Sequence, residues 1–298
     1  MVRSMSFIDM YLPYLLAGIS VGGQYALISI GYTMVYGILR LINFAHADIF
    51  MVSGFLMVYA SATMPYYIAI PLVLIATVIL GIMVEKFAYK PLRTAPRMSV
   101  MISAIGVSYL LQNLAWYVTG GLAKVYPTIP WITDSVTIGG ASTERVTILT
   151  PILTLVLVFI LVVFIQKSKV GMAMRAVSKD FETSQLMGIR INKIISFTFI
   201  IGSFLASVGS TLYFSKYSAV TPTVGAMPGL KAFVAAVFGG IGSIPGAVVG
   251  AFIIGICENI LKAVGLTAFS DAFTFALLII ILVVKPTGLF GENVAEKV

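Results

Sequence analysis

Charged residues are scarce in this sequence, and their scarcity excludes a water-soluble globule. Only 10% of the 298 residues are Asp, Glu, Lys or Arg, whereas about 25% is usual in a soluble domain. Hydrophobic residues make up 59% of the chain, and the mean hydropathy is +1.05. Because so few charges cannot cover a protein of this size, most of its surface must face lipid rather than water.

Cysteine and histidine are nearly absent as well. Cys257 and His46 are the single residues of their types. A lone cysteine in an apolar run excludes a disulfide framework, and one histidine without neighbouring ligands predicts no metal site. The phosphate-binding pattern G-x-x-x-x-G-K-[ST] is also missing, so we expect neither ATP nor another cofactor on this chain.

The formal net charge of +8 comes almost entirely from two short segments. Together they hold ten basic and three acidic residues, a net charge of +7: Lys86, Lys90, Arg93, Arg97, Lys167, Lys169, Arg175, Lys179, Arg190 and Lys193, with Glu85, Asp180 and Glu182. Basic residues between apolar runs mark the cytoplasmic side of a membrane protein, so we predict that both segments are cytoplasmic. No basic stripe with interleaved aromatic residues occurs elsewhere, so we expect no binding to nucleic acid.

Eight apolar runs predict an all-α, polytopic integral membrane protein with about eight transmembrane helices, because a membrane span must satisfy its backbone hydrogen bonds internally. The runs cover about 11–38, 49–64, 67–85, 98–118, 148–165, 194–214, 230–262 and 272–284. We predict one transmembrane domain over 1–298, with an uncleaved first helix. Its main loops are an external one at 119–147 and a cytoplasmic one at 167–193, and the N-terminus lies outside.

Glycine and proline interrupt the apolar stretch near 228–262. We predict two short helices that break at about 242–245 and both cross the membrane, which places the C-terminus in the cytoplasm. Two interpretations of the glycines stay open. They allow close helix packing, or Gly240, Gly242 and Gly246 form a moving break that lines a solute path.

Four polar or charged residues lie within nine positions, between two apolar runs: Arg40, Asn43, His46 and Asp48. Ionisable groups inside a membrane usually serve function, so one interpretation has Asn43 and His46 line a path or form a gating contact. In the other interpretation the segment is a short cytoplasmic turn, in which Arg40 marks the membrane boundary and Asp48 caps the second helix.

Polar residues inside the apolar runs predict contacts between helices. We expect the amides of Gln24, Gln112 and Asn113 to form hydrogen bonds across helices. Lys231 and Glu258, near opposite ends of the broken region, either form an ion pair or face water. Glu258 is the one acidic residue expected deep in the membrane, and this scarcity disfavours coupling to an ion gradient.

Three strings of residues, in this order, resemble a known family. They are GYTMVYGILRLINFAHADIFMVSGF from Gly31, VGMAMRAVSKDFETSQLMGI from Val170 and GLKAFVAAVFGGIGSIPGAVVGAFIIGICE from Gly229, and the closing KPTGLFG from Lys285 fits as well. The family is the permeases of branched-chain amino acid ABC importers, and the chain is similar to their LivH-type subunit from about Leu12 to Gly291.

The resemblance implies a transport subunit rather than an enzyme, in a bacterial-type cytoplasmic (inner) membrane. It implies an external solute-binding protein, a second permease of the LivM type, and two ATPase subunits that bind and hydrolyse the ATP. An importer of urea, amides or other small polar solutes is the nearest alternative. An ion-coupled secondary transporter and an uncoupled scaffold or channel are further ones.

Such permeases dock a short cytoplasmic helix with the signature E-A-A-x-x-x-G into the ATPase subunit. Glu182 and Gly188 have this spacing, but threonine and serine replace the two alanines. The resemblance implies that Arg175, Asp180, Glu182 and Gly188 belong to the ATPase-coupling segment, and that the glycine ends the helix. The alternative is a solvated basic loop without a partner.

Overall fold

The computed structural model describes residues 7–93, 95–138 and 141–291, and it confirms the all-α membrane architecture. The helices are α1 (Phe7–Leu39), α2 (His46–Ser61), α3 (Tyr66–Val84), α4 (Arg97–Thr119), α5 (Pro130–Thr133), α6 (Arg145–Lys167), α7 (Lys169–Lys179), α8 (Phe181–Leu186), α9 (Ile191–Tyr217), α10 (Ala226–Gly239), α11 (Ile244–Ala263) and α12 (Ser270–Val284). A π-helical turn (Glu85–Tyr89) and a 3-10 turn (Lys90–Leu92) extend α3, and a 3-10 turn (Thr267–Phe269) precedes α12.

Seven of the described helices are long and apolar enough to cross a membrane: α1, α3, α4, α6, α9, α11 and α12. The apolar helices α2 and α10 have only 16 and 14 residues. At 1.5 Å per residue they are about 24 and 21 Å long, less than the roughly 30 Å of hydrocarbon that a span must cross. Each of them therefore covers only part of the membrane thickness.

Helix α1 is the centre of the bundle. All its residues from Ser20 to Val35 are buried, and it packs against α6, α9, α10 and α11. Gly22 permits this packing, since a Cβ atom there would lie only 2.7 Å from the Cα of Phe252 on α11. The apolar outer surfaces of α4, α6 and α12 are exposed instead, as expected of helices that face lipid.

The segments with most of the basic residues share one end of the bundle, which we call the inner face. Arg40 donates a hydrogen bond to the carbonyl of Ser178 at 3.3 Å, and Arg93 donates one to the side chain of Asn192. The chain near its C-terminus also lies there, because the amide of Leu289 donates to the carbonyl of Phe238 at 3.0 Å. The sequence-based sidedness is therefore consistent with the packing.

The opposite end, the outer face, carries two short antiparallel ladders that the apolar pattern did not predict. Strand β1 (Lys124–Val125) pairs with β4 (Ala219–Val220), and β2 (Ser135–Ile138) pairs with β3 (Ala141–Glu144). The pairing of β1 with β4 ties the long loop after α4 to the segment that follows α9.

The same series of elements occurs twice, in opposite directions across the bundle. A long helix is followed by a residue with left-handed backbone, a non-helical link, a short helix and two further helices. Arg40 (φ 54°) after α1 and Ser218 (φ 46°) after α9 are the two such non-glycine residues in the described part of the chain. The two halves therefore use one backbone device to place a short helix inside the bundle.

The helix break in the region 228–262 lies slightly earlier in the sequence than the predicted 242–245. Gly240 and Gly242 have φ values of 105° and 101°, which a residue with a side chain rarely adopts. Ser243 then caps α11, because its hydroxyl accepts a hydrogen bond from the amide of Gly246 at 3.2 Å. The break therefore lies at 240–243, and the outer part of this crossing is the non-helical link 218–225.

Candidate translocation site and coupling segment

The turn after α1 does not stay at the inner face. It folds back into the bundle, so that the His46 ring lies against Gly31 and meets the Tyr32 ring edge to face at 5.1 Å between centroids. Gly31 is about 12 Å along α1 from Leu39, at 1.5 Å per residue. Asn43 and His46 are only 1% and 2% exposed. The interpretation of a cytoplasmic surface turn is therefore wrong for these two side chains.

Asp48 does not cap α2, contrary to that same interpretation. The first turn of α2 has no side-chain cap. Instead, the Asp48 carboxylate points to α4, where the Gln112 side chain donates a hydrogen bond to its Oδ1 at 3.0 Å. The predicted bond of Gln112 across helices is therefore confirmed, whereas Asn113 donates to the carbonyl of Tyr109 in its own helix.

The N-terminal ends of α2 and α10 meet at this depth. A Cβ atom on Gly225 would overlap the carbonyl oxygen of Ala47, and one on Gly229 would overlap the Ala47 side chain. Only glycine at these two positions lets the helices approach so closely. Two helix N-termini, each with a partial positive charge, thus converge inside the bundle, an arrangement that discontinuous helices also produce in transporters.

A cavity of about 380 Å³ lies beside this crossing, between α4 and α10. Its polar lining comes from Tyr32, Asp48, Ser108, Tyr109 and Gln112. Its apolar lining comes from Ile42, Phe44, Ala47, Ile105, Ala226, Gly229, Leu230 and Phe233. The site thus combines one carboxylate, a few hydrogen-bonding groups and a large apolar wall, a pattern typical of small-molecule sites.

The predicted path glycines lie elsewhere, at the inner end of α10 and α11. Gly246 packs on Gly239, where a Cβ atom would overlap the Gly239 carbonyl, and Gly240 packs on the backbone of Gly291. Gly242 has open space around it. The structure thus brings Asn43 and His46 together in the interior but places Gly240, Gly242 and Gly246 apart from them. A role of these glycines in the path stays a prediction.

Of the two alternatives for Lys231 and Glu258, the structure forms the ion pair, with 2.9 Å between the ammonium and the carboxylate. Lys262 and the Tyr25 hydroxyl also donate hydrogen bonds to Glu258. The expectation that Glu258 alone is deep was wrong, because Asp48 is also only 2% exposed. The reason is the folded-back turn, which carries Asp48 from an apparent surface loop into the interior.

The coupling segment forms two helices at the inner face, α7 and α8. Asp180 starts α8, because its carboxylate accepts hydrogen bonds from the Thr183 amide at 2.9 Å and the Thr183 hydroxyl at 2.6 Å. These hydrogen bonds lower the pKa of the Asp180 carboxyl. Gly188 ends the helical segment with φ 82°, and the amide of Ile189 closes the turn on the carbonyl of Ser184 at 3.1 Å. The prediction that this glycine ends the helix is confirmed.

The end of α8 presents apolar side chains outside the candidate spans. Leu186 and the neighbouring Met187 are 87% and 79% exposed, and Glu182 on the same helix is exposed as well. Arg175 does not join this cluster, because its guanidinium donates to the carbonyl of Gln166 at 3.1 Å and so holds α7 against the end of α6.

Comparison with known proteins agrees with this architecture. Residues 14–282 match the family model described as "Branched-chain amino acid transport system / permease component". The chain belongs to this permease family. No solved structure matches it.

Two relatives match this permease over nearly their whole length. They are the high-affinity branched-chain amino acid transport system permease proteins BraD of Pseudomonas aeruginosa and LivH of Escherichia coli K12. Each is 38% identical over 97% of this chain and 98% of its own. A ribose import permease protein, RbsC of Haemophilus influenzae, is 26% identical over 87% of this chain and 80% of its own. The chain is therefore a transport subunit and not an enzyme.

Sequence reasoning missed two groups of residues in this permease. Leu186 and Met187 carried a detectable signal, since they are apolar residues in an otherwise polar, basic segment. Ser108 and Phe233 in the cavity wall carried no such signal, because they lie within apolar runs of ordinary composition. Only the packing of α4 and α10 around the crossing reveals them.

Proposed function

We propose that this permease imports branched-chain amino acids across the cytoplasmic (inner) membrane, as the membrane subunit of a binding-protein-dependent ABC importer. Its relatives at 38% identity carry the name of such a system, whereas the ribose permease is more distant at 26%. This difference favours amino acids over a sugar.

The observation that carries the coupling proposal is the exposed apolar end of α8. Leu186 and Met187 lie outside the apolar spans, where water would surround them. Exposed apolar groups rimmed by polar residues mark a protein interaction site. An ATPase subunit covers this surface in our proposal, with Asp180 and Gly188 fixing the two ends of the docking helix, Glu182 offering a charge to the groove, and Arg175 holding α7 in place.

A second permease, of the LivM type, completes the membrane part in this proposal. The cavity at Asp48 opens on the side of the bundle, between α4 and α10. The cavity carries a carboxylate, which is costly next to hydrocarbon, so in this proposal the second permease covers its opening. Each permease then engages one of two ATPase subunits, which bind the ATP, and an external binding protein delivers the solute at the outer face.

The coupling proposal is tested by the double variant Leu186→Asp and Met187→Asp. We expect that the variant permease inserts and pairs with the second permease but no longer co-purifies with the ATPase subunits. Val125→Asp is the matched control, since Val125 is also 79% exposed but lies at the outer face. Normal co-purification of the double variant would refute the docking surface.

The substrate proposal is tested by uptake in proteoliposomes that contain the complete complex and its binding protein. We expect uptake of radiolabelled leucine that isoleucine and valine compete and that urea and ribose do not. Uptake of urea or ribose in place of leucine would refute this assignment.

A further inference from the structure

Asp48 differs from the other buried carboxylates in having no cationic partner. Glu85 pairs with Arg93, and Glu258 pairs with Lys231. Over the side chains described in 11–93, 95–137 and 142–291, no lysine or arginine forms an ion pair with Asp48. Its side-chain partners are neutral, the amide of Gln112 and the hydroxyl of Ser108. Buried charges are normally paired or neutralised by a proton, so a carboxylate with only neutral partners is a candidate group for binding a cation.

The place of Asp48 allows a cation to reach it. The carboxylate lines the cavity of about 380 Å³ between α4 and α10, a volume within the range of roughly 300–1,000 Å³ that small-molecule sites occupy. The N-termini of α2 and α10 lie at the same cavity and together supply about one elementary positive charge. The cavity as a whole is therefore close to neutral, with its negative charge on the Asp48 carboxylate and its positive charge at the two helix ends.

The wall of the cavity indicates what kind of cation fits. Phe44, Ile105, Leu230 and Phe233 are large apolar side chains that line the same cavity as the carboxylate. A hydrated metal ion gains nothing from such a wall, and the described residues contain no group of three metal-binding side chains. An organic cation with an aliphatic body satisfies both parts of the site.

We propose that Asp48 binds the ammonium group of an apolar amino acid inside the permease, and that the apolar wall of this cavity holds the amino acid's side chain. The proposal rests on the proposed function of amino acid import and assigns that import an intramembrane binding site. The converging N-termini of α2 and α10 face the same cavity and favour the carboxylate end of the zwitterion. Selection of amino acids then occurs within the permease as well as in the binding protein.

The first test is Asp48→Asn in the complete complex, reconstituted with its binding protein. The variant keeps one oxygen to accept the Gln112 hydrogen bond, replaces the other oxygen by an amide nitrogen of the same size and removes the charge, so we expect normal assembly. We expect leucine uptake to fall about 10- to 100-fold, as for loss of a charge-assisted hydrogen bond. ATP hydrolysis stimulated by the loaded binding protein should persist, and Asp48→Glu should restore part of the uptake.

The matched control is Asp271→Asn, which removes a half-exposed carboxylate outside the cavity and should leave uptake unchanged. Uptake by D48N equal to wild type would overturn the proposal. Failure of D48N to assemble would also overturn it, since Asp48 would then have a structural role.

A second measurement does not depend on transport. Ser108 lines the cavity next to Asp48, and Cys257 is the one native cysteine, so an S108C variant in a C257S background reports access to the site. We expect a cationic methanethiosulfonate reagent to label S108C faster than an anionic one, leucine to slow this labelling, and D48N to abolish the preference for the cation. Equal rates for both reagents with Asp48 intact would overturn the proposal.

Failure of this inference and failure of the proposed function give different results. If the wild-type complex imports leucine but D48N imports it equally well, only the site is wrong. If the wild-type complex imports no amino acid, the proposed function is wrong as well.

Discussion

The ion network where α10, α11 and α12 meet predicts an unequal response to two substitutions. The Glu258 side chain is 4% exposed and accepts from Lys231, Lys262 and the Tyr25 hydroxyl at 2.7–2.9 Å. The Lys231 side chain is 8% exposed and has Asp271 as its other partner, at 2.7 Å. We predict that Glu258→Gln destabilises the protein more than Lys231→Met does.

The magnitudes follow from what each substitution leaves behind. Removing one partner of a buried ion pair costs about 3–5 kcal/mol. We expect Glu258→Gln to cost about 3 kcal/mol, the low end, because Lys231 keeps Asp271 as a partner. Lys231→Met should cost only about 1 kcal/mol, since Glu258 keeps Lys262 and half-exposed Asp271 turns to water.

The free energy of unfolding, measured by SDS titration in mixed micelles, checks this order. Asp271→Asn is the control, and as a half-exposed charge it should cost no more than about 1 kcal/mol. The double variant of Lys231 and Glu258 should cost less than the sum of the two single variants, because the two side chains share one interaction. Equal costs for the single variants, or a larger cost for Lys231→Met, would refute the reasoning.

Two further predictions concern the folded-back turn and the coupling helix. Gly31→Ala puts a methyl group into the His46 ring and should lower both Tm and uptake. The control is Gly106→Ala on α4, where the methyl group meets nothing within 4 Å and should raise the free energy of unfolding by up to about 1 kcal/mol. An unchanged Tm for G31A would contradict the packing of the turn. Asp180→Ala should speed hydrogen exchange at the Thr183 amide. Because the pKa of Asp180 is lowered, the cap stabilises α8 at neutral pH, and this stabilisation is lost as the pH falls through that lowered pKa. If neither the Asp180→Ala substitution nor the lower pH changes hydrogen exchange at the Thr183 amide, the cap is ruled out.

The spans could be predicted from the sequence because membrane helices need long apolar runs. The run at 148–165 lies within helix α6, and the basic segments at 85–97 and 167–193 lie on one face as expected. Composition is enough for such features, since the cost of exposing backbone or charge to lipid acts on each segment by itself.

The interior turn could not be predicted, because its position depends on other helices. Arg40, Asn43 and Asp48 between two apolar runs have the composition of a surface loop. The turn enters the bundle because Gly31 on α1 and Gly202 on α9 leave room for the His46 ring. Small residues distant in sequence decide this packing, and no local pattern reports it.

Of the three glycines that sequence reasoning treated alike, Gly242 and Gly246 differ in their packing, which no local pattern reports. Gly246 packs against Gly239, so a large residue there disturbs the meeting of α10 and α11 and with it assembly. Gly242 has open space but a φ of 101°, so a large residue there strains the backbone without a clash. Only a substitution at Gly242 can separate loss of transport from loss of assembly.

Comparison of the two halves of the bundle shows that a short helix can be placed in the interior without a charged residue near its start. The link 218–225 and the first residues of α10, up to Leu230, place a short helix inside the bundle without any ionisable side chain. The turn after α1 uses the same backbone device, yet it carries Asp48 to the meeting point, where the carboxylate costs free energy unless a cation joins it. Since the second half places its short helix without a carboxylate, the turn does not need one either, and we assign the charge of Asp48 to the solute.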